Sequence, residues 1–139
     1  MDYYLHEENA YKRLLADYKK YKTLIVAFDF DGVISDFHNE GFDFSDVIQL
    51  LKDCNKANFK LVIYTANDKH NEIYKRCSDI SVKIEGINKQ LLPQFKNVGK
   101  IYYNILLDDR AGLATSYRIL RRLLDDNFLN KNVFEDVFE

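Results

Sequence analysis

Residues that punctuate or staple a fold are scarce in this chain. Its 139 residues include one proline, five glycines, two cysteines, one methionine and no tryptophan. No low-complexity block, repeat or linker rich in Pro and Gly is present, so a chain of modules on flexible tethers is excluded. Cys54 and Cys77 form neither a Cys-x-x-Cys pair nor a metal-ligand spacing, which excludes a zinc ribbon and predicts two reduced core residues in a cytosolic protein. No apolar run approaches the 18 residues of a membrane span, and the N-terminus carries acids where a signal peptide needs bases. A soluble cytoplasmic protein with no membrane partner is therefore expected. Charge of one sign is also nearly lacking: 20 basic against 22 acidic residues give −2. That balance argues against a nucleic-acid binder that works through bulk charge. The runs Lys19-Lys20-Tyr21-Lys22 and Arg121-Arg122 then read as solvated helix faces.

What is present points to one core. The chain is 47% hydrophobic, with ten Tyr and ten Phe, so disorder is excluded and one domain is expected. Residues 1–22 hold an N-terminal helix, 23–126 a catalytic core and 127–139 a C-terminal tail. The helix spans 3 to about 21, with Leu5, Tyr11, Leu14, Leu15, Tyr18 and Tyr21 near one face. It is expected to pack on the sheet, with partner binding as the alternative. Leu24–Phe28 is a short apolar run rich in β-branched residues, which predicts a strand buried on both faces. Ser45 caps a predicted helix running to about Ala57, with Val47, Leu50, Leu51 and Cys54 inward. A strand over Phe59–Tyr64, a helix over Lys69–Cys77 and a weak strand over Val82–Ile87 follow. Asn88–Gly99 reads as loop. Ile101–Leu107 is the clearest remaining strand, and a helix over Leu113–Asp125 follows it. Val133-Phe134 and Val137-Phe138 read as a short amphipathic turn of the tail. The alternation predicts an α/β fold, a three-layer α/β/α sandwich around a central parallel sheet.

In such sheets ligands bind beyond the carboxyl ends of the strands. Three predicted strands end in polar groups of one chemical kind: Asp29 and Asp31, then Thr65 and Asn67, then Asp108 and Asp109. Carboxylates at the edge of a core call for a cation. Asp29, Asp31 and Asp108 suit magnesium, a hard ion that takes oxygen ligands, and one backbone carbonyl of the turning strand end is able to converge there with the side chains. Gly32 lets the chain bend away without a Cβ over the site. Phosphate-monoester hydrolysis is very slow without a catalyst and needs a nucleophile and neutralised charge. Asp29 is placed to attack, through an aspartyl phosphate, and Asp31 to protonate the leaving oxygen and then activate water. The Thr65 hydroxyl, with Ala66 and Asn67 beside it, would hold phosphoryl oxygens, and a lysine would offset transition-state charge.

These stretches resemble the haloacid dehalogenase (HAD) superfamily, in its magnesium-dependent phosphatase branch. Asp29-Phe-Asp31-Gly32-Val33 is similar to motif I, Thr65 after Leu61-Val-Ile-Tyr64 to motif II, and Asp108-Asp109 after Ile105-Leu-Leu107 to motif IV. The resemblance covers about residues 24 to 125. It implies a motif III lysine, and Gly99-Lys-Ile-Tyr-Tyr-Asn-Ile-Leu-Leu-Asp-Asp-Arg110 looks like 5′(3′)-deoxyribonucleotidases and small phage-type members, which makes Lys100 that residue. Were all of 101–107 extended, Lys100 would stand about 25 Å from Asp108. The strand must then start late, near Asn104. Lys89 is the alternative lysine.

Neither the gap from Asp31 to Thr65 nor that from Thr65 to Lys100 has room for a separate cap domain, so an open site is expected. An open site suits a large substrate, or an oligomer or partner that closes it. The spacing suggests a nucleotide, and an Asp-Asp-Arg similar to that of polynucleotide 3′-phosphatases suggests a nucleic-acid end. Arg110 is expected to orient Asp109, and His6, His38 and His70 to lie on the surface. Two non-enzymatic readings stand beside this one. A receiver domain carries its phosphorylated Asp after the third strand, whereas Asp29 follows the first. A binding module on the same scaffold would survive Asp29→Asn, which a phosphatase would not.

Overall fold

Ile25–Phe28 (β1), Lys60–Ile63 (β2), Gly86–Ile87 (β3) and Ile105–Leu107 (β4) pair in the order β3-β2-β1-β4, and every pairing is parallel. The computed structural model describes residues 1–129. The predicted turn at Val133-Phe134 and Val137-Phe138 lies outside them. Four helices accompany the sheet: α1 (Glu7–Tyr21), α2 (Ser45–Lys56), α3 (His70–Asp79) and α4 (Leu113–Leu124). The fold is α/β with a central parallel sheet, and no separate cap is present among the described residues.

Alternation along the strands divides the core in two. Val26, Phe28, Leu61, Ile63, Ile105 and Leu107 face the helices, where they meet Leu50, Leu51 and Cys54 of α2, Ile73 and Cys77 of α3, and Leu120, Leu123 and Leu124 of α4. Ile25, Ala27 and Val62 face the other way, toward Leu91, Leu92, Tyr102 and Tyr103. Topology explains this second layer. β1, α2, β2, α3 and β3 step in one direction, and the connection to β4 must return across β1. Right-handed crossovers put that return on the opposite face. Residues 88–104 make it, as a loop with a 3-10 turn at Pro93–Phe95, and Phe95 stacks on Tyr102 with ring centroids 5.6 Å apart.

Several boundaries differ from expectation, each for a local reason. Tyr3–Leu5 is a separate 3-10 turn, and α1 begins at Glu7. α1 docks on α4, through Glu7 to Arg118 at 2.7 Å and Glu8 to Arg122 at 2.6 Å, with Tyr11 and Leu14 buried in the common core. Ser45 is the first residue of α2 and not its cap. The side chain at the helix entrance is Asp43, which accepts from Ser45 N at 2.9 Å and Ser45 Oγ at 3.0 Å, where a carboxylate is favoured by the helix dipole. The weak strand contracts to Gly86–Ile87, and β4 starts at Ile105, late as the position of Lys100 demanded. α4 passes into a π-helical turn at Asp125–Leu129.

Both cysteines are free and buried, and burial pushes the Cys54 thiol to about 12 and that of Cys77 to about 11. They are core residues, not nucleophiles. No helix among the described residues is long and apolar enough to cross a membrane.

Candidate active site at the carboxyl edge of the sheet

The strand register builds the site. Leu107 pairs with Phe28, Phe28 with Ile63, and Ile63 with Ile87, so these four residues form one row across the sheet. The next residue of each strand is Asp108, Asp29, Tyr64 and Asn88. All four line a pocket of about 320 Å³, together with Thr65 and Ala66. The row beneath is apolar, with Leu107, Phe28 and Ile63 fully buried and Ile87 partly so, and the polar groups stand on that floor.

Asp29 is half-buried, and its N–H donates to Leu107 O at 2.9 Å, which ties it to β4. Its Oδ1 accepts from Phe30 N at 2.8 Å, leaving the other oxygen to the pocket. Asp108 is held likewise, with Oδ1 accepting from Arg110 N at 2.9 Å. One carboxylate oxygen each from Asp29, Asp108 and Asp109 lies within 4.8 Å of the others. Burial is the main cause that lifts the Asp29 carboxyl above its ordinary range. The Phe30 N–H opposes the lift, and the charges of Asp108, Asp109 and Asp31 add to it.

Gly32 closes the group from behind. Its φ is +80°, and a Cβ built there would stand 2.6 Å from Asp109 Oδ2. The glycine is therefore required twice, by the backbone and by the carboxylate against it.

Thr65, Ala66 and Asn67 leave β2 as a tight loop. Thr65 Oγ1 accepts from Asn67 N at 3.1 Å, and Asn67 Oδ1 accepts from Lys69 N at 2.8 Å. Asn67 Nδ2 donates to Asp31 Oδ2 at 3.3 Å. The other oxygen of Asp31, Oδ1, is buried without a partner. Asn67 thus reaches the second carboxylate of the Asp-x-Asp pair.

The sequence-predicted residues divide into those the fold gathers and those it does not. Asp29, Thr65, Ala66 and Asp108 share the pocket, and Asn67 and Asp31 adjoin it through their mutual hydrogen bond. The carboxylate of Asp31, expected in the metal set, is not part of the three-carboxylate group, and Asp109 stands in its place. The Asp31 carbonyl accepts no backbone hydrogen bond among the described residues, since Gly32 N and Ser35 N are bonded to Ser35 O and Phe30 O. Lys100 is exposed, with its Nζ 6.0 Å from the centre of the Tyr103 ring, and it makes no ion pair within 4 Å among the described residues. Lys89 lies over Gly86, where a Cβ would meet its Cδ at 2.9 Å. The Arg110 side chain makes no hydrogen bond or ion pair with Asp109 among the described residues, and it is the backbone N–H of Arg110 that serves Asp108. His6, His38 and His70 are exposed, as expected.

Sequence reasoning missed Asn88. It follows a strand with a weak apolar pattern, and a neutral side chain next to Lys89 carries no charge that marks it. Yet Ile87 was a predicted strand end, so the residue after it belonged with the other three.

Three oxygen donors from carboxylates fit a hard divalent cation. Their mutual repulsion, which adds to the burial that raises Asp29, is a cost that such a cation removes.

No protein family and no curated protein matches the chain. It is similar in structure to a conserved protein from Bacteroides thetaiotaomicron, with a TM-score of 0.58 and 18% identity over 72% of this chain and 91% of that one. At that identity the likeness is one of fold alone, and it places the chain among proteins that share this parallel α/β architecture.

Proposed function

We propose that the chain is a magnesium-dependent phosphatase of the HAD type, which hydrolyses a phosphate monoester with Asp29 as nucleophile. The observation that carries this reading is the register row: one strand edge holds the carboxylates of Asp29 and Asp108 beside the Thr65-Ala66 loop. A nucleophilic carboxylate repels a phosphate dianion. A divalent cation held by Asp29, Asp108 and Asp109 would supply the neutralisation that lets the two meet.

The roles of the remaining groups follow from their hydrogen bonds. Thr65 Oγ1 already accepts from Asn67 N, so its own hydrogen is free to donate to a phosphoryl oxygen. Ala66 N–H has no protein acceptor among the described residues, whereas the N–H groups of Thr65, Asn67 and Lys69 are all bonded. The Ala66 amide and the Thr65 hydroxyl are donors that this loop offers to phosphate. Attack by the free oxygen of Asp29 forms an acyl-phosphate and expels an alkoxide. Asp31, with Oδ1 unpartnered and Oδ2 steadied by Asn67, delivers the proton to that leaving oxygen. Asp31 then takes a proton from the water that attacks phosphorus, and Asp29 and inorganic phosphate are released. Lys100, exposed on the loop before β4, is the lysine assigned to transition-state charge. The site is open, and a nucleotide or a nucleic-acid terminal phosphate suits it.

Release of phosphate from p-nitrophenyl phosphate and from a panel of nucleotides and 3′-phosphoryl oligonucleotides, with and without magnesium, tests the reading. Turnover that needs both magnesium and Asp29 is the expected result. Turnover unchanged in Asp29→Asn contradicts it.

A further inference from the structure

The side chain of Asn88 grips the Thr65 peptide by both ends. Its Oδ1 accepts from Thr65 N at 2.9 Å, and its Nδ2 donates to Thr65 O at 2.8 Å. Asn88 is itself fixed, because its own N–H donates to Ile63 O at 2.7 Å. Its φ of +50° is a left-handed conformation that Asn tolerates better than most residues. A bidentate side chain on a fixed backbone is a rigid bracket, and this bracket spans from the end of β3 to the end of β2.

Its consequences run along the loop. With both Thr65 backbone groups occupied, the peptide planes on either side of Thr65 are set, and with them the direction of the Thr65 side chain and of the next N–H, that of Ala66. Thr65 Oγ1 then receives Asn67 N, and Asn67 Nδ2 reaches Asp31 Oδ2. One side chain with no carboxylate, no charge and, among the described residues, no hydrogen bond to the acidic group thus stands at the head of a hydrogen-bonded chain, Asn88 to Thr65 to Asn67 to Asp31. Left without Asn88, Thr65 N–H would itself be free to turn to an anion, in competition with Ala66 N–H.

We infer that Asn88 is a positioning residue for phosphate: it withdraws the Thr65 peptide from the pocket so that the Thr65 hydroxyl and the Ala66 N–H are the donors presented there. The inference rests on the phosphatase reading for the identity of the anion, and on the bracket alone for the role of Asn88.

Asn88→Gly keeps the left-handed backbone and removes the bracket, and Asn88→Asp keeps the acceptor for Thr65 N but loses the donor to Thr65 O. Inorganic phosphate, with magnesium present, is titrated into each chain while the backbone amide resonances of Thr65, Ala66 and Asn67 are followed by NMR. In the native chain the Ala66 amide shifts on phosphate addition and the Thr65 amide resists hydrogen exchange. In Asn88→Gly, protection at Thr65 is lost and phosphate affinity falls by about tenfold, with Asn88→Asp between the two. A residue that merely stabilised the fold would lower the melting temperature and leave phosphate affinity of the folded protein unchanged. That outcome, equal affinity in all three chains, overturns the role of Asn88. Failure of the native chain to bind phosphate at all overturns the phosphatase reading and this inference together.

Discussion

A methyl group at Gly32 would lie 2.6 Å from Asp109 Oδ2, so the motif glycine and the last of the clustered carboxylates are packed as one unit. Asp109 is exposed on its far side and is able to swing away, but only by leaving Asp29 and Asp108. Gly32→Ala should therefore separate two effects. The φ of +80° costs an alanine about 1 to 2 kcal/mol of stability, whatever the space. Displacement of Asp109 lowers magnesium affinity as well, by about tenfold, which calorimetric titration of folded protein would measure. Native affinity in Gly32→Ala would show that Asp109 is no ligand.

Asp29 sets a pH dependence of stability in the absence of metal. Burial, with the neighbouring carboxylates, raises its pKa in the folded chain above the unfolded value. The folded state thus binds more protons across the interval from about pH 4 up to the raised pKa, and its stability falls as pH rises through that interval. Above it, the charge is an uncompensated cost. Asn at position 29 removes that cost and still offers an oxygen to Phe30 N. Thermal melts in a chelator should show Asp29→Asn more stable than the native chain at pH 7, with the difference vanishing below pH 4. Magnesium should then stabilise the native chain more than the variant. A variant that melts lower at pH 7 contradicts the electrostatic account.

The helix layer is joined by a buried ion pair. Arg121 Nη1 meets Asp53 Oδ2 at 2.8 Å, with the side chains 20% and 10% exposed, and Gln49 Nε2 donates to Asp53 Oδ1 at 3.0 Å. Arg121 Nε also bonds Asp125. Arg121→Ala leaves Asp53 charged and buried between α2 and α4, at a cost of about 3 kcal/mol. Arg121→Met combined with Asp53→Leu, which removes both charges and keeps the volume, should recover most of it. Urea denaturation of the two variants checks this, and equal loss in both would show that packing alone matters.

Sequence pattern located the strands that carry the site, because the runs at 24–28, 59–64 and 101–107 end abruptly in polar residues and the helices between them have clear inner faces. The parallel sheet was legible for the same reason, the missing cap from the short gaps between the polar strand ends, and the late start of β4 from the distance between Lys100 and Asp108. Two things were not. Val82–Ile87 has only Gly86 and Ile87 paired with β2, so its apolar pattern is weak and does not mark Asn88 as a strand-end site residue. The substitution of Asp109 for Asp31 in the carboxylate group depends on how the chain turns after each strand. The Gly32 turn carries the Asp31 side chain toward Asn67, and the 108–112 turn brings Asp109 back against Gly32. Periodicity carries no information on such turns.

The two candidate lysines differ in what binds them. Lys100 extends from the loop before β4, its carbonyl accepting from Gln90 Nε2 at 3.0 Å, while the Lys89 stem is packed over Gly86. Lys100→Ala should lower kcat by about 10²-fold or more with a smaller change in KM, as loss of a transition-state charge does, and Lys89→Ala should stay within a few-fold of native. The reverse pattern in steady-state kinetics would transfer the role to Lys89.

The central claim is that phosphate passes through the side chain of Asp29. Turnover of a phosphate monoester, quenched in the steady state and treated with borohydride, reduces an acyl-phosphate on aspartate to an alcohol that survives proteolysis. Mass spectrometry of the peptide containing Asp29 should find that alcohol at position 29 only when both substrate and magnesium were present, and at no other aspartate. Phosphate release with position 29 unmodified, or with the alcohol at Asp31, Asp108 or Asp109, would contradict the account.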